Sequence, residues 1–97
     1  MILHYLGLDH IGHLAGPNSP LVRPKLREMD EIIRRIYETI MQQDFKRNIS
    51  TLLVLCGDHG MSDGGSHGGS SFAETTTPLV FMSSLFALGK GTKSTFT

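Results

Sequence analysis

Residues 51–61, TLLVLCGDHGM, join an apolar run to a polar turn, and they decide the fold that we predict for the chain. The run at residues 51–56 has the composition of a buried strand. Asp58 and His59 follow it, each next to a glycine. In a turn beyond a strand, both side chains can face one pocket. The alternative is an aspartate that caps local backbone amides beside a solvated histidine.

A second apolar run, at residues 2–8, also stops at a carboxylate, Asp9. Its nearly continuous apolar character predicts another strand that is buried on both faces. His13 follows Asp9 by four residues, so one helical turn or a tight loop would bring a carboxylate oxygen and an imidazole nitrogen together. Taken alone, this spacing fits a capping aspartate and a surface histidine equally well.

The segment between the two runs has the pattern of an amphipathic helix. Apolar side chains recur at spacings of three and four residues, at Leu26, Met29, Ile33, Ile36 and Ile40. Pro24 suits the first turn, and the pattern fades near residues 42–44. Strand, helix and strand predict an α/β fold built on a βαβ unit with parallel strands and a right-handed crossover. Both polar clusters would then lie at the carboxyl edge of the sheet, where open α/β sheets bind ligands.

The rest of the chain is expected to add a short strand and a tail. Residues 79–82 predict a third short strand, and residues 83–88 predict a turn or the start of a helix. Residues 89–97 have no periodicity and predict a disordered tail, which leaves one domain at residues 1–88.

His67 stands in the glycine- and serine-rich stretch GGSHGGSS. The glycines would let this stretch fold back, so that His67 joins Asp9 and His13; the alternative is a flexible linker with a chance histidine. Mixed oxygen and nitrogen ligands, with no thiolate nearby, favour zinc or manganese. His4 is expected to pack within the first strand, and His10 is expected to point away from the cluster.

Composition narrows the classes of partner. Lys and Arg together number 9, as do Asp and Glu, so the formal net charge of zero gives no electrostatic basis for binding nucleic acid or an anionic membrane. Cys56 is the single cysteine; it cannot form an internal disulfide and is expected to be a small buried apolar residue. No stretch approaches the roughly 18 consecutive apolar residues of a membrane span, so no span is predicted.

Three stretches carry a resemblance to a known family: HYLGLDHIGHLAGPNSP at residues 4–20, LVLCGDHGMSDGGSHGG at residues 53–69 and TPLVFMSS at residues 77–84. They resemble the GPI ethanolamine phosphate transferases of the alkaline phosphatase superfamily, and most of all the members that modify the second mannose. The resemblance implies a partial alkaline-phosphatase-like fold and two divalent metals, most readily zinc. One metal would be held by Asp9, His13 and His67, and the other by Asp58 and His59.

The resemblance also implies a reaction. Phosphoethanolamine would pass from phosphatidylethanolamine to a mannose of the GPI anchor precursor, at the endoplasmic reticulum membrane with the catalytic domain in the lumen and a membrane partner subunit. The nucleophilic threonine of the family and one further metal-binding aspartate would precede Met1, so the chain is expected to be a fragment that is inactive alone. The alternatives are a nucleotide pyrophosphatase or phosphodiesterase fragment, and a noncatalytic metal-binding remnant.

Overall fold

The computed structural model describes residues 1–88 as a mixed α/β arrangement, which confirms the predicted class. The elements are helix α1 at Gly7–Ala15, helix α2 at Val22–Arg47, strand β1 at Leu52–Cys56, helix α3 at Phe72–Thr75, strand β2 at Leu79–Ser83 and a closing 3-10 helix at Ser84–Leu88. The predicted disordered tail, residues 89–97, lies outside the described residues.

The first predicted strand, at residues 2–8, is wrong. Residues 1–6 have no regular secondary structure, and helix α1 begins at Gly7. The same polar residues that suggested a turn after a strand suit a helix, because Asp9 lies in its first turn and His13 in its last, where the helix dipole favours each. Their side chains meet across one turn, with Nε2 of His13 at 3.3 Å from Oδ1 of Asp9.

The sheet has two antiparallel strands, so the predicted parallel βαβ unit is also wrong. Strand β1 pairs with β2, and Val54 lies opposite Phe81 in the register. The third predicted strand does exist, but it takes the place beside β1 that we assigned to residues 2–8. The reason is the intervening segment, residues 57–78, which folds back on itself and returns the chain along β1 in the opposite direction.

The predicted amphipathic helix is confirmed as α2, with Pro24 in its first turn. It continues to Arg47, beyond the end that we expected near residues 42–44. Asn48 ends the helix in the left-handed conformation, with φ of 54°, and its backbone N–H donates to the carbonyl of Asp44. The polar residues at 46–48 therefore form the last turn and cap of the helix.

The apolar surfaces of α2 and β1 meet only in part. Within residues 1–86, no hydrophobic side chain is fully buried. The apolar stripe of α2 lines an open groove together with β1 and with Met1, Ile2, Leu3 and Tyr5. Cys56 also lines this groove and is exposed, contrary to our prediction, because the groove is open to solvent.

Asp44 joins three elements through hydrogen bonds. Its side chain is buried, with 1% of the residue surface exposed. Its carboxylate accepts from the backbone N–H of Thr51 at 2.8 Å, from the Thr51 hydroxyl at 2.7 Å and from the Ser84 hydroxyl at 3.1 Å. The bond from the Thr51 hydroxyl, with help from the others, outweighs desolvation and lowers the pKa of Asp44 from its usual value of 3.8.

Replacing Asp44 with asparagine is expected to weaken the fold at neutral pH and to reduce its acid sensitivity. Because the pKa of Asp44 is lower in the folded chain, its contribution to stability is present above pH 3.8 and is lost as the pH falls through the folded value. Asparagine presents an N–H where a donor already points, so we expect the melting midpoint at pH 7 to fall by on the order of 5 °C. Thermal melts followed by circular dichroism between pH 7 and 2 measure both effects.

The matched control is Asp30→Asn, because Asp30 is an exposed residue of the same helix. This variant should follow the wild-type pH profile. If Asp44→Asn loses stability below pH 4 as steeply as the wild-type chain, the loss of stability at low pH does not come from the hydrogen bonds of Asp44.

Candidate metal centre

The carboxylate of Asp9 lies at the centre of a group of imidazoles. Its Oδ1 atom is buried and has no hydrogen-bond partner among residues 1–88. Three histidine Nε2 atoms surround this oxygen, from His13 at 3.3 Å, His67 at 3.6 Å and His59 at 3.8 Å. A buried carboxylate oxygen without a donor is costly, and a cation bound among these groups would remove that cost. The donor set therefore fits a divalent metal.

The structure brings Asp9, His13 and His67 together as one candidate ligand set. One ligand atom from each residue lies within 4.8 Å of the others. Nε2 of His67 is 3.0 Å from Nε2 of His13, although the two residues are 54 positions apart. Two imidazole nitrogens and a carboxylate oxygen are ligands that divalent transition metals accept. That these three side chains bind a metal stays a prediction.

His59 connects this set to Asp58. Its Nδ1 atom is 2.7 Å from the carbonyl of Gly60, and because a carbonyl only accepts, Nδ1 carries a proton; in the neutral ring, Nε2 then has the lone pair. That Nε2 lies 3.6 Å from Oδ2 of Asp58. The His59 ring also stacks on that of His67 at a centroid distance of 3.7 Å. All five residues that we singled out therefore lie in one contiguous cluster.

The surroundings of Asp58 favour the ionised form of its carboxylate. Partial desolvation raises its pKa, but its own backbone N–H, the N–H of His59 at 3.0 Å and the nearby imidazoles of His59 and His4 together lower the pKa below 3.8. Asp58 is therefore ionised at neutral pH and can attract a cation.

His4 is a neighbour of the cluster that the sequence did not reveal. We expected it to pack within a strand, but it is exposed, and its Nε2 lies 3.6 Å from Oδ2 of Asp58. No spacing rule could have found this contact, because it joins an irregular segment to a turn far along the chain. His10, which we expected to point away from the cluster, is an exposed residue of α1.

Close approach between α1 and the loop after β1 brings the ligands together. Gly12 and Gly65 are both buried, and a Cβ atom on Gly65 would lie 2.7 Å from the Gly12 carbonyl oxygen. Gly65 also has a φ of 80°, which favours glycine. The helix therefore packs directly against the loop backbone, with His13 one residue from the contact and His67 two residues from it.

Three imidazole nitrogens around the buried oxygen of Asp9, with Asp58 beside His59, have the features of a metal-binding site. Residues 1–77 match the sequence profile of the type I phosphodiesterase / nucleotide pyrophosphatase family, and the chain belongs to this family.

The names of similar proteins describe a narrower class of protein than the family does. GPI ethanolamine phosphate transferase 2, catalytic subunit, of Homo sapiens is 56% identical over 86 residues, which are 89% of this chain and 9% of the relative. GPI ethanolamine phosphate transferase 2 of Schizosaccharomyces pombe is 61% identical over 82 residues, 84% of this chain and 11% of the relative. The protein of the same name in Candida glabrata is 55% identical over 93 residues, 96% of this chain and 10% of the relative.

The chain spans about a tenth of the length of these relatives. No solved structure matches the chain. Among the described residues, none of the helices has the length and apolar character needed to cross a membrane.

Proposed function

We propose that this chain is part of the catalytic domain of a GPI ethanolamine phosphate transferase of the kind that modifies the second mannose. The observation that carries the proposal is the buried, unpaired Oδ1 of Asp9 with three imidazole nitrogens within 3.8 Å. The names of the relatives supply the substrate class, since those similar over most of this chain are called GPI ethanolamine phosphate transferase 2.

The proposed centre holds two divalent metals, with zinc the first choice and manganese the second. One would be bound by Asp9, His13 and His67, and the other by Asp58 and His59, together with ligands that we do not assign to this chain. When bound, such metals lower the pKa of a hydroxyl nucleophile and neutralise charge on the phosphate oxygens. The donor chemistry supports this assignment, because carboxylate and imidazole with no thiolate suit zinc and manganese.

The residues of this chain would bind the metals and orient the metal ligands; they would not form covalent bonds to substrate. Asp9 supplies a negative charge at the centre of the imidazoles, and Asp58 supplies a second one. In the neutral ring of His59, the Nδ1–H bond to the Gly60 carbonyl leaves the lone pair on Nε2, which faces the cluster. We assign no threonine of the chain as the nucleophile, so the isolated chain is expected to bind metal without turning over a phosphoethanolamine donor.

The proposed substrates are phosphatidylethanolamine as donor and a mannose of the GPI precursor as acceptor, at the lumenal side of the endoplasmic reticulum membrane. A membrane partner subunit fits the name of the human relative, which describes a catalytic subunit. Nucleic acid is not a proposed partner, since the formal net charge is zero.

The family description supports an alternative, a fragment of a nucleotide pyrophosphatase or phosphodiesterase with the same ligands and other substrates. A noncatalytic remnant is a second alternative, and the lack of a buried apolar core in the described residues supports it.

A segment exchange tests the proposed function. We expect that replacing the matching 82-residue segment of the S. pombe relative with this chain's sequence preserves phosphoethanolamine transfer to GPI, because the two are 61% identical there. The Asp9→Asn version of the exchange should reduce transfer by 100-fold or more, since the carboxylate is central to the cluster. Transfer in isolated membranes is the measurement.

An exchange that carries Asp30→Asn instead is the control, and it should retain activity. A chimera that is expressed and folded but hydrolyses nucleotide diesters without transferring phosphoethanolamine would favour the phosphodiesterase alternative. A folded chimera with neither activity would favour the remnant.

A further inference from the structure

Contacts with other residues must fix the position of His67, because its own backbone segment is rich in glycine. The residue is followed by Gly68, which has a φ of 97°, and by Gly69, so the backbone here has little intrinsic preference. His67 is nevertheless placed 3.0 Å from His13 and stacked on His59. Contacts before and after His67 in the sequence must therefore hold it in this position.

Before His67, a pair of serines closes the loop. The N–H of Ser62 donates to the carbonyl of Ser66 at 2.8 Å, and the N–H of Ser66 donates to the Ser62 hydroxyl at 3.2 Å. The two hydroxyls also lie 2.9 Å apart. The chain is therefore anchored up to the residue that precedes His67.

After His67, the side chain of Glu74 holds the backbone. Its Oε1 accepts from the N–H of Gly69 at 3.0 Å, while its other oxygen accepts from the Ser71 hydroxyl. The Ser71 hydroxyl in turn accepts from the N–H of Glu74 and so caps the start of α3. A Cβ atom on Gly69 would lie 2.7 Å from Oε2, so the carboxylate packs directly on this glycine.

The main chain of α3 also holds the segment behind His59. The N–H of Gly60 donates to the carbonyl of Glu74 at 2.8 Å, and the N–H of Met61 donates to the carbonyl of Ala73 at 3.0 Å. Glu74 therefore contacts both histidine-bearing segments. Its carboxylate contacts the backbone that follows His67, and its carbonyl contacts the backbone that follows His59. The rings of these two histidines stack on each other, with centroids 3.7 Å apart.

We infer that Glu74 is a positioning residue of the metal centre, which holds the loop of His67 against the turn of His59 before a metal binds. This inference rests on the proposed metal-dependent function. Within the described part of the chain, Glu74 forms no hydrogen bond or ion pair with the ligand side chains; it acts through the backbone of Gly69 and through α3. Such outer residues commonly change metal affinity by 10- to 100-fold when they are replaced.

The experiment compares Glu74→Ala with Glu74→Gln in the 97-residue chain. In the metal-free chain, a nuclear Overhauser contact between the rings of His13 and His67 reports the position of His67. We expect Glu74→Ala to lose this contact and to weaken Zn²⁺ binding by about tenfold in calorimetric titration. Glu74→Gln keeps an acceptor for the Gly69 N–H, so it should keep the ring contact and an affinity within about threefold. Glu38→Ala, an exposed glutamate paired with Arg34 on α2, is the control.

Retention of the ring contact and an unchanged Zn²⁺ affinity in Glu74→Ala would overturn the inference. If the wild-type chain does not bind Zn²⁺, the proposed metal function fails, while the ring contact in the metal-free variants still decides the role of Glu74. If Glu74→Ala loses the circular dichroism of α2, Glu74→Asp decides instead. The aspartate side chain keeps the charge but is too short to reach both Gly69 and Ser71, so Glu74→Asp should also lose the ring contact. A ring contact that persists in Glu74→Asp would overturn the inference.

Discussion

Asp9→Asn is expected to lower the affinity of the chain for Zn²⁺ by roughly 100-fold or more. Oδ1 of Asp9 is the atom that all three imidazole nitrogens share, at 3.3 to 3.8 Å. Asparagine keeps the size of the side chain but removes the negative charge that a dication needs among neutral imidazoles. Isothermal titration with Zn²⁺, and with Mn²⁺ for comparison, measures the loss directly.

The metal-free stability of the same variant gives a second, opposite readout. Because Oδ1 of Asp9 is buried without a hydrogen-bond partner, removing its charge should leave the metal-free melting midpoint unchanged or raise it. A purely structural aspartate would show the reverse, with lower stability and unchanged Zn²⁺ affinity. Asp30→Asn should change neither quantity. An Asp9→Asn chain that still binds Zn²⁺ like the wild type would remove the basis for the proposed centre.

Gly60→Ala is expected to destabilise the chain by about 3 kcal/mol and to weaken Zn²⁺ binding with it. A Cβ atom at this position would lie 1.9 Å from the carbonyl oxygen of Ala73, which is a backbone atom and cannot move without α3. The clash would break the hydrogen bonds that Gly60 and Met61 donate to α3. The carbonyl of Gly60 also orients His59, so the imidazole should lose its fixed proton position.

Gly64→Ala is the matched control for this substitution, since it lies in the same loop and the nearest atom to its Cβ would be 3.9 Å away. We expect its free energy of unfolding to stay within roughly 0.5 kcal/mol of the wild type. Urea unfolding followed by circular dichroism compares the two variants. Equal midpoints for Gly60→Ala and Gly64→Ala would mean that α3 does not dock on this turn.

Local patterns in the sequence predicted the elements that depend on local preference. Helix α2 followed from its apolar spacing and from Pro24, and strand β1 followed from the run that ends before Gly57. Strand β2 was predicted in place but not in orientation. Residues 2–8 and 79–83 are both apolar runs that could lie beside β1, and apolar composition does not state which one pairs or in which direction.

Contacts between distant residues were beyond such patterns. Asp44 looks like a solvent-facing residue near the end of a helix, and its burial depends on Thr51 and Ser84, which lie 7 and 40 positions away. The end of α2 was placed too early for the same reason, because the polar residues after Met41 gave no signal of this buried hydrogen-bonded group.

The candidate site was predictable to different degrees. The proximity of Asp9 and His13 follows from their spacing of four, and it survives the change from a strand end to a helix. The approach of His67 did not follow from any spacing, since glycine-rich backbone fits both a linker and a folded loop. The residues left both interpretations open, and the resemblance favoured His67 as the third member of the set. The proximity of His4 to Asp58 had neither kind of support.

The open groove between α2 and β1 has a thermodynamic consequence. Unfolding changes the heat capacity mainly in proportion to the apolar area returned to water, and little of that area is withdrawn from water here. The stability curve of the chain alone should therefore be shallow against temperature, and its calorimetric transition broad. Ion coordination, more than desolvated hydrocarbon, would then set how sharply this polypeptide melts.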